Sequence, residues 1–132
     1  MNKIELTLIF LFSMVISACA QNDSIRTIDA DEFERAIQSD SVQVVDVRTA
    51  EEYVAGHIPN AINIDVLQDH FKEKAKAALI KGKTIAVYCR SGKRSMKAAN
   101  LLAQEGKKVI NLRGGWIEWT EKKKPIGTSH TH

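Results

Sequence analysis

The sequence predicts an α/β domain, a mostly parallel central sheet flanked by helices on both faces. Three observations predict it. Short β-rich apolar runs alternate with segments patterned for helix, as in consecutive β-α-β units. The run Val42–Val47 is nearly continuous in apolar residues, as strands covered on both faces are. A thiol, Cys89, stands at the carboxyl end of the run Thr84–Tyr88, where open parallel sheets place their ligands.

The elements follow in order. Ile25–Ile28 reads as a short strand. Asp29 then caps a helix, with Glu32 three residues on as its capping-box partner and Phe33, Ala36 and Ile37 on one face. Val42–Val47 is the next strand. Glu51–Val54 makes one helical turn, stopped at Gly56. Pro59 and Asn60 mark a turn before a short strand over Ala61–Ile64. Val66–Ile80 is helical in pattern, with Leu67, Phe71, Ala75 and Ala78 on one face, and Gly82 ends it. The strand Thr84–Tyr88 leads into the Cys89 loop and then a helix from about Ser95 that stops at Gly106. Lys108–Leu112 is a further strand. Gly114-Gly115 loops into a last short helix beginning over Trp116–Trp119.

Composition narrows the function. With 132 residues, 44% hydrophobic and 27% charged, the chain is long enough for one globular domain. A net charge of +3 is too mild for a nucleic-acid binder, and no basic run interleaves with aromatics. Lys122–Lys124 reads as a solvated tail.

The first residues read as a targeting signal. Lys3 supplies positive charge, and Leu6–Ile16 is an apolar stretch too short for a comfortable membrane span. It ends in Ile16-Ser17-Ala18-Cys19, which resembles the lipobox of bacterial lipoproteins. The resemblance implies cleavage before Cys19 and a lipid anchor on that residue, palmitate included. The expected layout is a signal peptide over 1–18, a lipidated tether over 19–26, the folded domain over 27–124 and a flexible tail over 125–132. The protein is then exported and held on a membrane, facing the periplasm or the cell surface. A lipidated Cys19 cannot pair with Cys89, so the domain carries one free thiol, a position that invites reactivity.

The loop after Cys89 tells what that thiol is for. Arg90-Ser91-Gly92-Lys93-Arg94 surrounds it with three cations and leads into a helix, whose first N–H groups point back at the loop. This setting favours an anion, and it favours thiolate over thiol. Gly92 lets the backbone curl close. The expected assignment is Cys89 as nucleophile, with Arg90, Ser91, Gly92, Lys93 and Arg94 binding substrate and the cations lowering the thiol pKa. His57 reads as locking a turn through a ring hydrogen bond, and Asp46 with Arg48 as a structural ion pair. His130 and His132 fall short of a metal ligand set.

Four stretches carry a family resemblance, in order: Val45-Asp46-Val47-Arg48 with Glu52-Tyr53; Gly56-His57-Ile58-Pro59-Asn60-Ala61-Ile62-Asn63; Val87-Tyr88-Cys89-Arg90-Ser91-Gly92-Lys93-Arg94-Ser95; and Leu112-Arg113-Gly114-Gly115-Trp116-Ile117-Glu118-Trp119. Together they resemble the single-domain rhodanese family. The resemblance implies a sulfurtransferase that moves sulfane sulfur through a Cys89 persulfide. The donor is a small anion such as thiosulfate and the acceptor is cyanide or a thiol. It implies no metal or organic cofactor, and a monomer is expected. The same fold hosts dual-specificity phosphatases, which space cysteine and arginine by five residues. Here four residues separate Cys89 from Arg94, a smaller loop that fits sulfur better than phosphate. A persulfide carrier or redox module serving a partner protein is the alternative, with phosphatase or arsenate chemistry behind it.

Overall fold

The computed structural model describes residues 23–128. Cys19 and its lipobox therefore lie outside the described residues. Five strands, β1 (Ile25–Ile28), β2 (Val42–Asp46), β3 (Ile62–Asn63), β4 (Thr84–Tyr88) and β5 (Val109–Leu112), form one sheet in the order β1-β5-β4-β2-β3. Every pairing in it is parallel. Four helices connect them, α1 (Ala30–Ala36), α2 (Ala50–Ala55), α3 (Phe71–Ala78) and α4 (Lys93–Gln104), and α5 (Gly115–Glu121) follows β5.

The sheet has a core on each face because strand side chains alternate. Val45, Ile85, Val87 and Val109 face α3 and α4, packing on Phe71, Ala75, Ala98, Ala99 and Leu102. Val44, Ala86, Tyr88, Ile110 and Leu112 face the other way, against Phe33 of α1 and Trp119 of α5. Phe33 meets Trp119 edge-on at 6.2 Å between ring centroids. β4 is central, and Ile85 through Tyr88 are all fully buried. The strand that delivers Cys89 is thus the one held most firmly on both sides.

Three expectations need correction. The helix read over Val66–Ile80 begins only at Phe71. Asp65 accepts the Leu67 N–H at 2.9 Å, and the Asp65 carbonyl accepts the Gln68 N–H, so local turn bonds capture the backbone first. His70, at φ 68°, stands just ahead of the helix. Leu67 is accordingly 59% exposed rather than on the buried face. The helix after the cysteine loop also starts earlier than Ser95, at Lys93. The expected tail is tied down over its first residues: Pro125 accepts from Trp119 Nε1 at 2.8 Å, and Gly127 exchanges two backbone bonds with His57.

Candidate active site

The Cys89 loop leaves the carboxyl end of β4 and turns at Gly92, φ +100°, which caps α4. A Cβ at Gly92 would sit 2.4 Å from the Arg113 carbonyl oxygen, so the turn also needs the missing side chain for space. The loop is clamped from the far side by the start of α5. Trp116 N–H donates to the Cys89 carbonyl at 2.8 Å and Ile117 N–H to that of Arg90 at 3.1 Å. Gly115 makes this approach possible, since a Cβ there would lie 2.5 Å from the Cys89 oxygen.

The thiol is buried at 1% exposure and is the free cysteine among the described residues. Its Sγ accepts the Gly92 N–H at 3.1 Å and lies 3.4 Å from Ser95 Oγ. The Ser95 hydroxyl in turn donates to the Gly92 carbonyl at 3.0 Å. Burial pushes the thiol pKa up, but bonds from the Ser95 hydroxyl and the Ser95, Ser91 and Gly92 amides outweigh it and hold the pKa below the ordinary value. The Ser95 hydroxyl and a backbone cradle stabilise the thiolate. Of the two expected causes, the N–H cradle at the helix start is present, while the loop cations are not among the groups that lower this pKa.

Those cations divide. Arg90 and Lys93 are exposed. Arg94 is bound: its Nη1 and Nη2 donate to both carboxylate oxygens of Glu52 at 2.8 and 3.0 Å. The bidentate pair holds Glu52 down at about 2, with burial opposing and Thr49 helping. Ser91 is exposed and contributes through its backbone. Of the expected binding set, Ser91 and Gly92 surround Sγ, while Arg94 reaches the site as half of an ion pair.

A second, fully buried layer lies behind the loop. Arg48 grips Asp46 through Nε and Nη2, the shortest contact being 2.6 Å, and Nη2 also donates to the Gly56 carbonyl at 2.7 Å. The Tyr88 hydroxyl donates to Asp46 at 2.7 Å and accepts the Ile58 N–H at 3.0 Å. Burial and the Asp46 carboxylate push Tyr88 far above the ordinary phenol value, so it stays a neutral donor. Arg48 also lies over the Trp116 ring at 4.6 Å. The ion pair expected of Asp46 and Arg48 is present. The turn lock expected of His57 is present too: its Nδ1 donates to the Tyr53 carbonyl at 2.9 Å, and the two rings stack.

Reading the sequence missed three functional neighbours. Ser95 follows the loop in the quoted motif, yet only the helix start at Lys93 turns it toward Sγ. Tyr88 read only as the last residue of a strand, and its hydroxyl partner is 42 residues away. Glu52 had a readable signal, for Thr49 and Glu52 form a capping box on α2. Two cavities, of about 540 and 570 Å³, include none of the loop residues; one lies beside Gln43 and Trp119, the other between α3 and α4.

Comparison with known proteins places this geometry. The family model for the rhodanese-like domain matches residues 29–122. A sulfurtransferase of Allochromatium vinosum is 35% identical over 77% of this chain and 94% of its own length. Thiosulfate sulfurtransferase 18 of Arabidopsis thaliana is 33% identical over 88% of this chain and 93% of its own. tRNA uridine(34) hydroxylases also match, and in that of Acinetobacter baumannii the similarity spans 32% of the protein at 36% identity. The crystal structure of a rhodanese-related protein from Thermoplasma volcanium aligns with a TM-score of 0.71 and 34% identity, covering 79% of this chain and 99% of that one.

Proposed function

This chain belongs to the rhodanese-like domain family, and from that premise we propose that it transfers sulfane sulfur through a persulfide on Cys89. The observation that carries the reading is the Sγ atom seated in the amide cradle of Gly92, Ser91 and Ser95. A thiolate attacks sulfur, and such a cradle stabilises that form and the persulfide anion that follows it. The thiolate attacks the outer sulfur of a donor such as thiosulfate. The donor's S–S bond breaks, and sulfite leaves with the bonding pair. Cyanide or a thiolate then takes the outer sulfur and returns Cys89 to thiolate. Exposed Arg90 and Lys93 draw the anionic donor to the loop. The chain acts as a monomer in this reading. Ile16–Cys19 adds a lipid anchor at Cys19 that holds the domain on a membrane, facing the periplasm or the cell surface.

Intact mass after incubation with thiosulfate tests the chemistry. The wild-type protein gains one sulfur, and Cys89→Ser gains none and loses transfer to cyanide. Full transfer by the mutant, or turnover of an aryl phosphate without sulfur gain, overturns the reading.

A further inference from the structure

Glu52 is the unexpected charge at the site. It sits at the third position of α2, where Oε1 accepts the Thr49 N–H and hydroxyl, both at 3.1 Å. The same oxygen takes Arg94 Nη1, and Oε2 takes Nη2. Both partners are mostly shielded, with side chains 29% and 23% exposed. Arg94 lies close enough to Cys89 for the thiolate to favour its charge. Glu52 thus stands between the loop and full use of its third cation.

The charge count makes this matter. Attack of the Cys89 thiolate on thiosulfate gathers three negative charges, and persulfide plus sulfite carry the same three away. Attack on a monoanion R–SO2–S⁻ gathers two, with the sulfinate leaving on the bonding pair. Arg90 and Lys93 are the loop cations without an acidic partner among the described residues. We propose that Glu52 is a specificity-determining positioning residue, which closes Arg94 into an ion pair and tunes the cradle toward monoanionic sulfane-sulfur donors and against dianions. This rests on the sulfur-transfer reading above.

Glu52→Gln isolates the charge, because glutamine also completes a capping box. Two readouts are taken in wild type and variant at low salt. One is the ratio of Cys89 alkylation rates with iodoacetate and iodoacetamide, in which the thiolate fraction cancels. The other is the ratio of kcat/KM for thiosulfate to that for benzenethiosulfonate. Releasing Arg94 raises both ratios by about three- to tenfold, through KM rather than kcat in the second, and 0.5 M salt shrinks the gain. Ratios within about twofold of wild type, or a fall in either, overturn the proposal. If wild type transfers sulfur from neither donor, the sulfur reading fails on its own, and the alkylation ratio still decides whether Glu52 controls the charge Cys89 meets.

Discussion

Ser95→Ala should raise the titration midpoint of Cys89 by somewhat less than one pH unit. The magnitude follows from a proton inventory. Ser95 has one hydroxyl proton, and it sits 3.0 Å from the Gly92 carbonyl and 3.4 Å from Sγ. While Cys89 is a thiol, its S–H donates to Ser95 Oγ and the hydroxyl donates onward to Gly92. On ionisation the hydroxyl turns to Sγ and gives up the carbonyl. The gain is the difference between a bond to a charged acceptor, about 1.5–3 kcal/mol, and a neutral one, about 0.5–1.5 kcal/mol. That leaves about 1 kcal/mol, or roughly 0.7 of a pH unit at 1.36 kcal/mol per unit. The sign is upward, because the variant loses a bond that favours the charged form while burial still opposes ionisation. The assay is the pH dependence of iodoacetamide alkylation, with Arg90→Gln beside it. The exposed arginine should move the midpoint much less and lose that small effect in salt. If Ser95→Ala leaves the midpoint in place while Arg90→Gln moves it by a full unit, side-chain charge and not the cradle sets the thiol.

Two further outcomes test the site's scaffold and the anchor. Gly92→Ala places a Cβ 2.4 Å from the Arg113 oxygen at φ +100°, so urea denaturation should show a loss of about 3 kcal/mol, from positive-φ strain and overpacking together. A loss under about 0.5 kcal/mol would mean the loop relaxes freely and is no rigid cradle. Cys19→Ala in the full-length chain should abolish incorporation of a clickable fatty acid, and labelling equal to wild type rules the lipid anchor out.

Most of the architecture was legible because the strands are short, bounded by turn residues and, in β2, β4 and β5, mostly apolar. β2 and β4 read correctly for the reason that makes them central: both faces are covered, so the apolar runs do not alternate. The Val66–Ile80 segment misled because helical periodicity is silent about an aspartate that binds the backbone two residues on, as Asp65 does to Leu67. The cysteine loop was legible as an anion site. Its division of labour was not, because Arg94 and Glu52 lie 42 residues apart and meet only once α2 and α4 dock at the same end of the sheet. A count of loop cations treats all three alike; an acidic partner from another element changes what one of them can do.

The buried charge behind the loop explains how an exposed turn becomes a fixed cradle. Asp46 and Arg48 are 0% and 2% exposed, and taking such a pair out of water costs about as much as its attraction returns. Stability alone is therefore a weak reason for it. Its bonds instead have a common direction. Asp46 holds the Tyr88 hydroxyl, fixing the last residue of β4 before the cysteine. Arg48 holds the Gly56 carbonyl and lies over Trp116, whose N–H carries the Cys89 carbonyl. Both the residue that leads into the loop and the helix that clamps it are thus tied to one ion pair. Backbone amides stabilise a thiolate only if they already point at it, since each loses its advantage when it must reorganise. The hub supplies that fixed aim, and with it a reason this end of the sheet keeps two charges in its interior.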